Sequence, residues 1–457
     1  MKLAFRIALC ISLLLSTVAA QKRSAGGKPS PDSSTKLISF KVTGTSRYTD
    51  KEVLAASGLQ LGRPASEGDF KEAVQRLGEF GVFSDAAYSF STSDAGTKLE
   101  MQLSDVEASK LVPVRFENFV WFSDAQLLAE VRKSVPLFKG SLPLSGNLPD
   151  RVSESLRALL SEHQLPGHVD FLRSTEANSS SLTEIVYRVE EVSIRIESVE
   201  FPGASAEHTA LLESASRKLI GEEYGRSTFE AAAKFDLLPV YFQRGYLKAE
   251  FGEASARVMR ASSEDAKSAD DHRTDDRRND NHEAAEVRVA AILPVNPGNV
   301  YLSSGIDVQG NSAIKTDEIV ALLHMNAGQP ANSVRLARDT ENVVKLYRSR
   351  GYITASLKAE PSFDDSKQTV HYTLNIAEGA LYTMGELEVQ GLDNQTKAKA
   401  QAAWKLAEGQ PYNAEYKIQF VSDILKFVPN SDWDIKVEET PDARDKTVDV
   451  TLRFKRR

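Results

Sequence analysis

A short phrase, glycine-x-proline-x-serine or asparagine, occurs three times at one position of a longer pattern. The copies are Gly62-Arg63-Pro64-Ala65-Ser66, Gly328-Gln329-Pro330-Ala331-Asn332 and Gly409-Gln410-Pro411-Tyr412-Asn413. In each copy the glycine ends one helical segment, and the serine or asparagine can accept a bond from the first free N–H groups of the next. The clearest setting runs from Ile306 to Glu378. There a strand ends at Gly310-Asn311, and Lys315 to Leu323 has apolar residues at helical spacing. A second helix carries Leu336, Val343, Val344 and Tyr347 to one side and stops at Gly351. Tyr352 to Ala359 and Val370 to Ile376 alternate as strands around Asp364-Asp365-Ser366. The unit reads β-α-α-β-β, and its recurrence makes the chain an array of small domains.

The first copy runs from Leu37 to Glu107, with a strand into Gly44, a helix capped by Asp50, a second helix ending at Gly81, and strands from Val82 to Ser91 and Leu99 to Leu103. The last copy lies within 388–454, with Val389-Gln390-Gly391 opening it and Trp433 to Glu438 as its second strand. Two further copies follow the same order less closely. One has Asn118 where the others have glycine, since asparagine tolerates the left-handed conformation, and a strand from Val169 to Arg173. The other has Gly203, a helix through Phe229, Phe235 and Tyr241, and Gly245-Tyr246 matching Gly351-Tyr352. The fold class predicted is α+β, a tandem array of about five units, each a three-stranded mixed sheet covered by two helices. The boundaries are 37–108, 109–192, 193–297, 298–378 and 379–457.

Two segments stand outside that pattern. Residues 1–20 have Lys2 and Arg6 before an apolar run and end at Val18-Ala19-Ala20, which reads as a signal peptide followed by a flexible lead-in at 21–36. The only cysteine, Cys10, lies inside that run, so the exported chain would have no disulfide chemistry. Residues 261–286 are almost devoid of apolar side chains and interrupt a hairpin, which predicts a disordered loop insertion. His272 and His282 within it match no metal-loop spacing, and the sequon at Asn178 reads as incidental. The formal net charge of -8 and the lack of a basic stripe argue against nucleic-acid binding. No second long apolar run offers a helical membrane span. The seven histidines are scattered and no phosphate loop is present, so the sequence predicts no enzyme, catalytic residue, cofactor or metal.

Five β-α-α-β-β units behind a signal peptide, with Val-x-Gly after the first strand and Gly-Tyr or Gly-Val opening the second, resemble POTRA domains. The array resembles the periplasmic region of BamA-type outer-membrane β-barrel assembly factors, although every alternating strand here is taken up by the repeats and none is left for a barrel. The resemblance implies a periplasmic scaffold, peripheral to the outer membrane. Its partners would be unfolded outer-membrane protein precursors, or a barrel or assembly factor encoded separately. In that family the second strand lies at a sheet edge, where an extended chain can pair by β-augmentation. This assigns partner binding to Tyr352, Ile353, Thr354, Ala355, Ser356 and Leu357, and to Tyr246, Leu247 and Lys248. The alternatives are a structural spacer that handles no clients and the amino-terminal part of a longer barrel protein.

Overall fold

The computed structural model describes residues 34–175, 182–259, 285–424 and 433–456. The signal peptide, most of the lead-in, the sequon at Asn178 and the insertion from 261 to 284 lie outside the described residues. The last two residues assigned to that insertion, Ala285 and Glu286, instead open a strand, because they pair with Val192 and Ser193. The chain divides into two compact units, and the division passes through the second repeat. One holds the described residues up to Arg115 with 127–159 and 171–185, and the other holds 116–126, 160–170 and 186–456.

The first repeat comprises β1 (Thr35–Thr43), α1 (Asp50–Ser57), β2 (Pro64–Ala65), α2 (Glu67–Glu79), β3 (Phe83–Ser93) and β4 (Gly96–Asp105). Its sheet order is β2-β1-β4-β3. β1 runs parallel to β4, and β3 pairs antiparallel with β4 through a two-residue turn. Alternation buries Leu99, Met101 and Leu103 on one face of β4, while α2 buries Phe70, Ala73 and Leu77 and sets Phe70 against Tyr88 and Phe90 of β3. The cap of α1 is Thr49, boxed with Glu52, and not Asp50 as predicted. Asp50 is the first helical residue, and its carboxylate accepts the Val42 N–H at 3.0 Å.

The second repeat adds β5 (Leu111–Phe116), α3 (Asp124–Ser134), β6 (Ser141–Pro143), α4 (Leu148–Glu162), β7 (His168–Thr175) and β8 (Leu182–Glu190). Its sheet is ordered β6-β5-β8-β7.

The third repeat has β9 (Val192–Glu200), α5 (Ala206–Ser216), α6 (Arg226–Ala232), a π-helical turn at Ala233–Leu237 and α7 (Leu238–Phe242). Then come β10 (Glu250–Phe251), β11 (Ser255–Val258), β12 (Ala285–Ile292) and β13 (Val295–Asn296). Its main sheet is β11-β12-β9, with β10 and β13 paired apart. The π turn inserts extra backbone into the helix. Phe229 and Tyr241 therefore stay buried, while Phe235, predicted on the same inward face, turns out 69% exposed.

The fourth repeat comprises β14 (Leu302–Gln309), α8 (Thr316–Val320), α9 (Ser333–Ser349), β15 (Ser356–Asp364) and β16 (Thr369–Ala377). The fifth comprises β17 (Thr383–Gln390), α10 (Asn394–Ala403), α11 (Tyr416–Ile424), β18 (Trp433–Asp442) and β19 (Thr447–Arg456). Their orders are β14-β16-β15 and β17-β19-β18, and in both the first strand runs parallel to the third while the second runs antiparallel to it. The predicted α+β array of mixed sheets therefore holds, with a short fourth strand, β2 or β6, added to the three in the first two repeats.

The repeated sequence phrases have physical causes. A Cβ at Gly310 would run into the carbonyl oxygen of Ile376, because the third strand passes directly beside the turn; the same holds for Gly44 against Leu103 and Gly391 against Phe454, and for Gly203 against Val295 of β13, which follows the third strand. All four glycines have positive φ. Asn118 meets the demand differently from the left-handed conformation predicted for it, since it is absent from the positive-φ residues. Its side chain bonds Val189 twice, Nδ2 to the carbonyl at 2.9 Å and Oδ1 from the N–H at 2.7 Å.

The proline phrase is a miniature strand. Pro64–Ala65 pairs with Lys36 and Thr35, Pro330 bridges Leu302, and Pro411 bridges Thr383. It covers the start of each first strand. Asn332 then caps α9 as the sequence predicts, its Oδ1 accepting the Arg335 N–H at 2.8 Å.

Candidate functional site

In all five main sheets the second long strand of the repeat is outermost: β3, β7, β11, β15 and β18 each have one neighbour. A strand with one neighbour leaves every other residue's N–H and C=O pointing away from the sheet. Pro361 and Pro441 show which residues point outward in β15 and β18, since proline is tolerated only where no ladder donor is needed. They lie three and one residues before Asp364 and Asp442, which face Thr369 and Thr447 at the closed ends of the hairpins.

The nine residues predicted to bind a partner are not all on these edges. Ser356 and Leu357 open β15. Tyr352 to Ala355 precede it and form the exit of α9. The Tyr352 N–H reaches back to the Tyr347 carbonyl at 3.1 Å and the Gly351 N–H to Arg348 at 3.4 Å, a six-to-one and five-to-two pair that ends a helix at a left-handed glycine. The accompanying apolar contact is Tyr347 against Tyr352, with ring centroids 6.0 Å apart. The Ala355 N–H then bonds Tyr352, and Ala355 is buried. The alternation of apolar residues that predicts a strand here is produced by the turn.

Tyr246, Leu247 and Lys248 occupy the same place in the third repeat. Tyr246 N–H bonds the Tyr241 carbonyl at 3.2 Å, and no strand begins before Glu250. These residues build the joints between repeats. The Tyr301 N–H bonds the Gly245 carbonyl and the Tyr382 N–H bonds the Gly351 carbonyl, both at 2.8 Å. Ala331 N–H to Tyr301 and Tyr412 N–H to Tyr382 follow, both at 2.9 Å. Leu247 packs against the core of the fourth repeat and Ile353 against that of the fifth. Lys248 bonds Asp365 at 2.6 Å and lies 5.3 Å from the Tyr301 ring centroid and 4.9 Å from that of Phe363. The Asp365 carboxyl, bonded by Lys248 and by the Tyr301 hydroxyl, is held below the usual carboxylate range.

Sequence reasoning passed over three acids. Glu378 accepts the N–H groups of Ser312 and Ala313 at 2.8 and 2.9 Å and the Tyr347 hydroxyl at 2.9 Å. Burial alone would raise its pKa, but these bonds lower it. Asp105 does the same in the first repeat, taking the Thr45 hydroxyl at 2.6 Å and the Ser46 N–H at 3.2 Å. The acid at the end of the third strand was the signal. Asp339 is buried and bonds both the ring and the backbone N–H of His324, at 2.9 and 2.8 Å, which fixes the loop after α8. Among the described residues no three His, Cys, Asp or Glu gather as a metal site, and no helix is long and apolar enough to cross a membrane.

Residues 300–379 match the POTRA family model, described as a surface antigen variable number repeat. The match coincides with the fourth repeat. Among solved structures, the chain is similar to POTRA3-5 of Haemophilus influenzae BamA, at 20% identity over 57% of this chain and 96% of that one, with a TM-score of 0.41. It is also similar to BamA from Haemophilus ducreyi lacking POTRA domains 1-3, at 19% identity over 34% of this chain and only 30% of that one, with a TM-score of 0.30. A third similar structure is the N-terminal domain of Omp85 from Thermosynechococcus elongatus, at 15% identity over 57% and 97% of the two chains, with a TM-score of 0.23.

Proposed function

We propose that this protein is a non-enzymatic periplasmic scaffold that receives extended polypeptides along its sheet edges during outer-membrane protein biogenesis. The observation that carries the reading is the outermost place of the second strand in every main sheet. Backbone pairing reads little sequence, which suits a receiver of many unfolded precursors, and several linked repeats raise the avidity of weak contacts. The POTRA match of residues 300–379 supports the same assignment. Ser356 and Leu357 remain the candidate contacts from the original set, on β15, while Tyr246 to Lys248 and Tyr352 to Ala355 serve the joints and the turns into the strands.

Photo-crosslinking tests the reading. A crosslinker placed at Ser362 on β15 or Ser91 on β3 should capture an urea-diluted outer-membrane barrel protein in preference to a folded one. Capture of neither by any edge of the full chain would overturn it. The spacer reading draws on the matched backbone bonds at the two successive joints. It predicts that removing one whole repeat changes function while edge substitutions do not.

A further inference from the structure

The five edges are not alike. Among the described residues β11 spans four, and its Arg257 pairs with Glu200 at 2.5 Å. β15 carries Pro361 and a Lys358–Glu360 ion pair of 2.7 Å. β18 carries Pro441, a Lys436–Glu438 pair of 2.9 Å and a second bond from Arg453 to Glu438. β7 holds Asp170 and Arg173. Short length, proline and charge are the devices by which edges are kept from pairing with other chains. β3, Phe-Ser-Asp-Ala-Ala-Tyr-Ser-Phe-Ser-Thr-Ser, is eleven residues long with no proline and no lysine, and its one charge, Asp85, and its one bulge both lie at its start, leaving Ala86 to Ser93 unguarded.

We infer that β3 is the edge that takes up an incoming strand, and that the strand is an amphipathic segment of an unfolded outer-membrane barrel protein. This rests on the edge-pairing reading above and says which edge and which chemistry. The two-residue turn makes Ser93 and Gly96 the bonded pair that closes the hairpin. Counting back, Thr92, Phe90, Tyr88 and Ala86 direct their N–H and C=O groups outward. The same residues lie opposite Thr97, Leu99, Met101 and Leu103, so their side chains share the helix-covered face. Tyr88 and Phe90 stack with centroids 6.3 Å apart, and Phe70 of α2 lies 5.3 Å from Phe90. Phe90 is still 40% exposed, so an apolar side chain on the neighbouring strand would cover it. On the opposite face Ala87, Ser89 and Ser91 are exposed, small and uncharged. A strand that fits is apolar on one face and polar on the other, the alternation of membrane-barrel strands. The far edge of the sheet is less available: β2 covers the start of β1, and Asp50 holds the Val42 N–H.

The test uses the full chain and a labelled peptide copying one transmembrane strand of an outer-membrane barrel protein, with binding read by fluorescence anisotropy. Phe90→Pro removes an outward donor without touching the inward ladder and should weaken binding about tenfold. Ala359→Pro, the same change on β15, should leave it within about twofold. Ser89→Glu charges the exposed face of β3 while keeping its backbone, and it should also weaken binding, so the outcome does not hang on one variant. A peptide of the same composition with its alternation scrambled should bind weakly. Equal binding by wild type, Phe90→Pro and Ser89→Glu would overturn this inference, and a loss with Ala359→Pro would then leave the edge-pairing reading standing. No binding by the wild-type chain would overturn both. Concentration-dependent self-association abolished by Phe90→Pro, with no peptide binding, would make the occupant a second copy of the chain and overturn the inference.

Discussion

Lys248 and Asp365 meet at 2.6 Å across the joint between the third and fourth repeats, and the Tyr301 hydroxyl donates to the same carboxylate oxygen at 2.7 Å. The lysine comes from the turn after α7, the tyrosine from the connecting segment and the aspartate from the β15-β16 hairpin. Three pieces of chain are thereby tied at one oxygen.

The first prediction concerns that tie. Both charges are solvent-exposed, so Asp365→Asn should change global stability little. It should instead broaden the distance distribution between spin labels placed on the third and fourth repeats. The Asp365 carboxyl is depressed below its ordinary 3.8 by Lys248 and Tyr301. Its contribution is therefore complete above that ordinary value and is lost as the pH falls through the lower folded value, so wild type should broaden only under strongly acidic conditions. An unchanged distribution in the variant would mean the backbone bonds alone hold the joint.

Gly351 has φ +95°, and a Cβ there would lie 2.6 Å from Leu381 Cδ1 and 2.7 Å from the Tyr382 oxygen. Gly351→Ala should cost about 1–3 kcal/mol, from a left-handed residue and the displaced partners together. Urea unfolding measures this. Proteolysis between the fourth and fifth repeats should rise in parallel, because the displaced carbonyl belongs to their connection.

Glu378→Ala should cost about 1–3 kcal/mol, since two backbone N–H groups and a tyrosine hydroxyl lose their acceptor. The sign with pH is fixed by the lowered folded pKa: the stabilisation is present above the ordinary 4.5 and disappears as the pH falls through the folded value. A pH series of urea midpoints should show wild type and variant converging at the acidic end.

Asn118→Ala should cost about 1–3 kcal/mol for each Val189 group left without its partner in the buried turn. Hydrogen exchange at the Val189 amide gives a local readout, and it should accelerate far more than exchange at Val186. A variant indistinguishable from wild type would mean that water replaces both bonds.

Much of the fold could be read from the sequence because the repeats carry their own punctuation. Gly-x-Pro-x-Asn and Val-x-Gly are demands of the backbone, and such demands survive in sequence when core residues change. The reading failed where one local pattern has two sources. Tyr352 to Ala355 alternate as strand residues do, yet Tyr352 is the apolar partner that closes the end of α9. Phe235 sits at helical spacing, but a π turn shifts the phase of the residues around it. Asp50 and Thr49 both suit a cap, and only the geometry of the strand before them reserves Asp50 for Val42. The candidate site was legible as a topological position, the second strand of each repeat. The differences between edges emerged only when the strand limits were known, because proline and charge matter by their place along the strand.

The close passage of the third strand beside the turn of the first has a consequence for how such copies can diverge. Core positions tolerate exchange of one apolar residue for another with repacking, so likeness between copies erodes there first. At the turn a carbonyl of the third strand, or at Gly203 one of β13 just after it, leaves no room for a Cβ at Gly44, Gly203, Gly310 and Gly391. Drift at that spot is confined to narrow exits, and Asn118 marks one: the turn leaves the left-handed region and an amide side chain makes two bonds to the third strand. What five much-altered copies inherit in common is a separation between two strands, and residue identity follows from it.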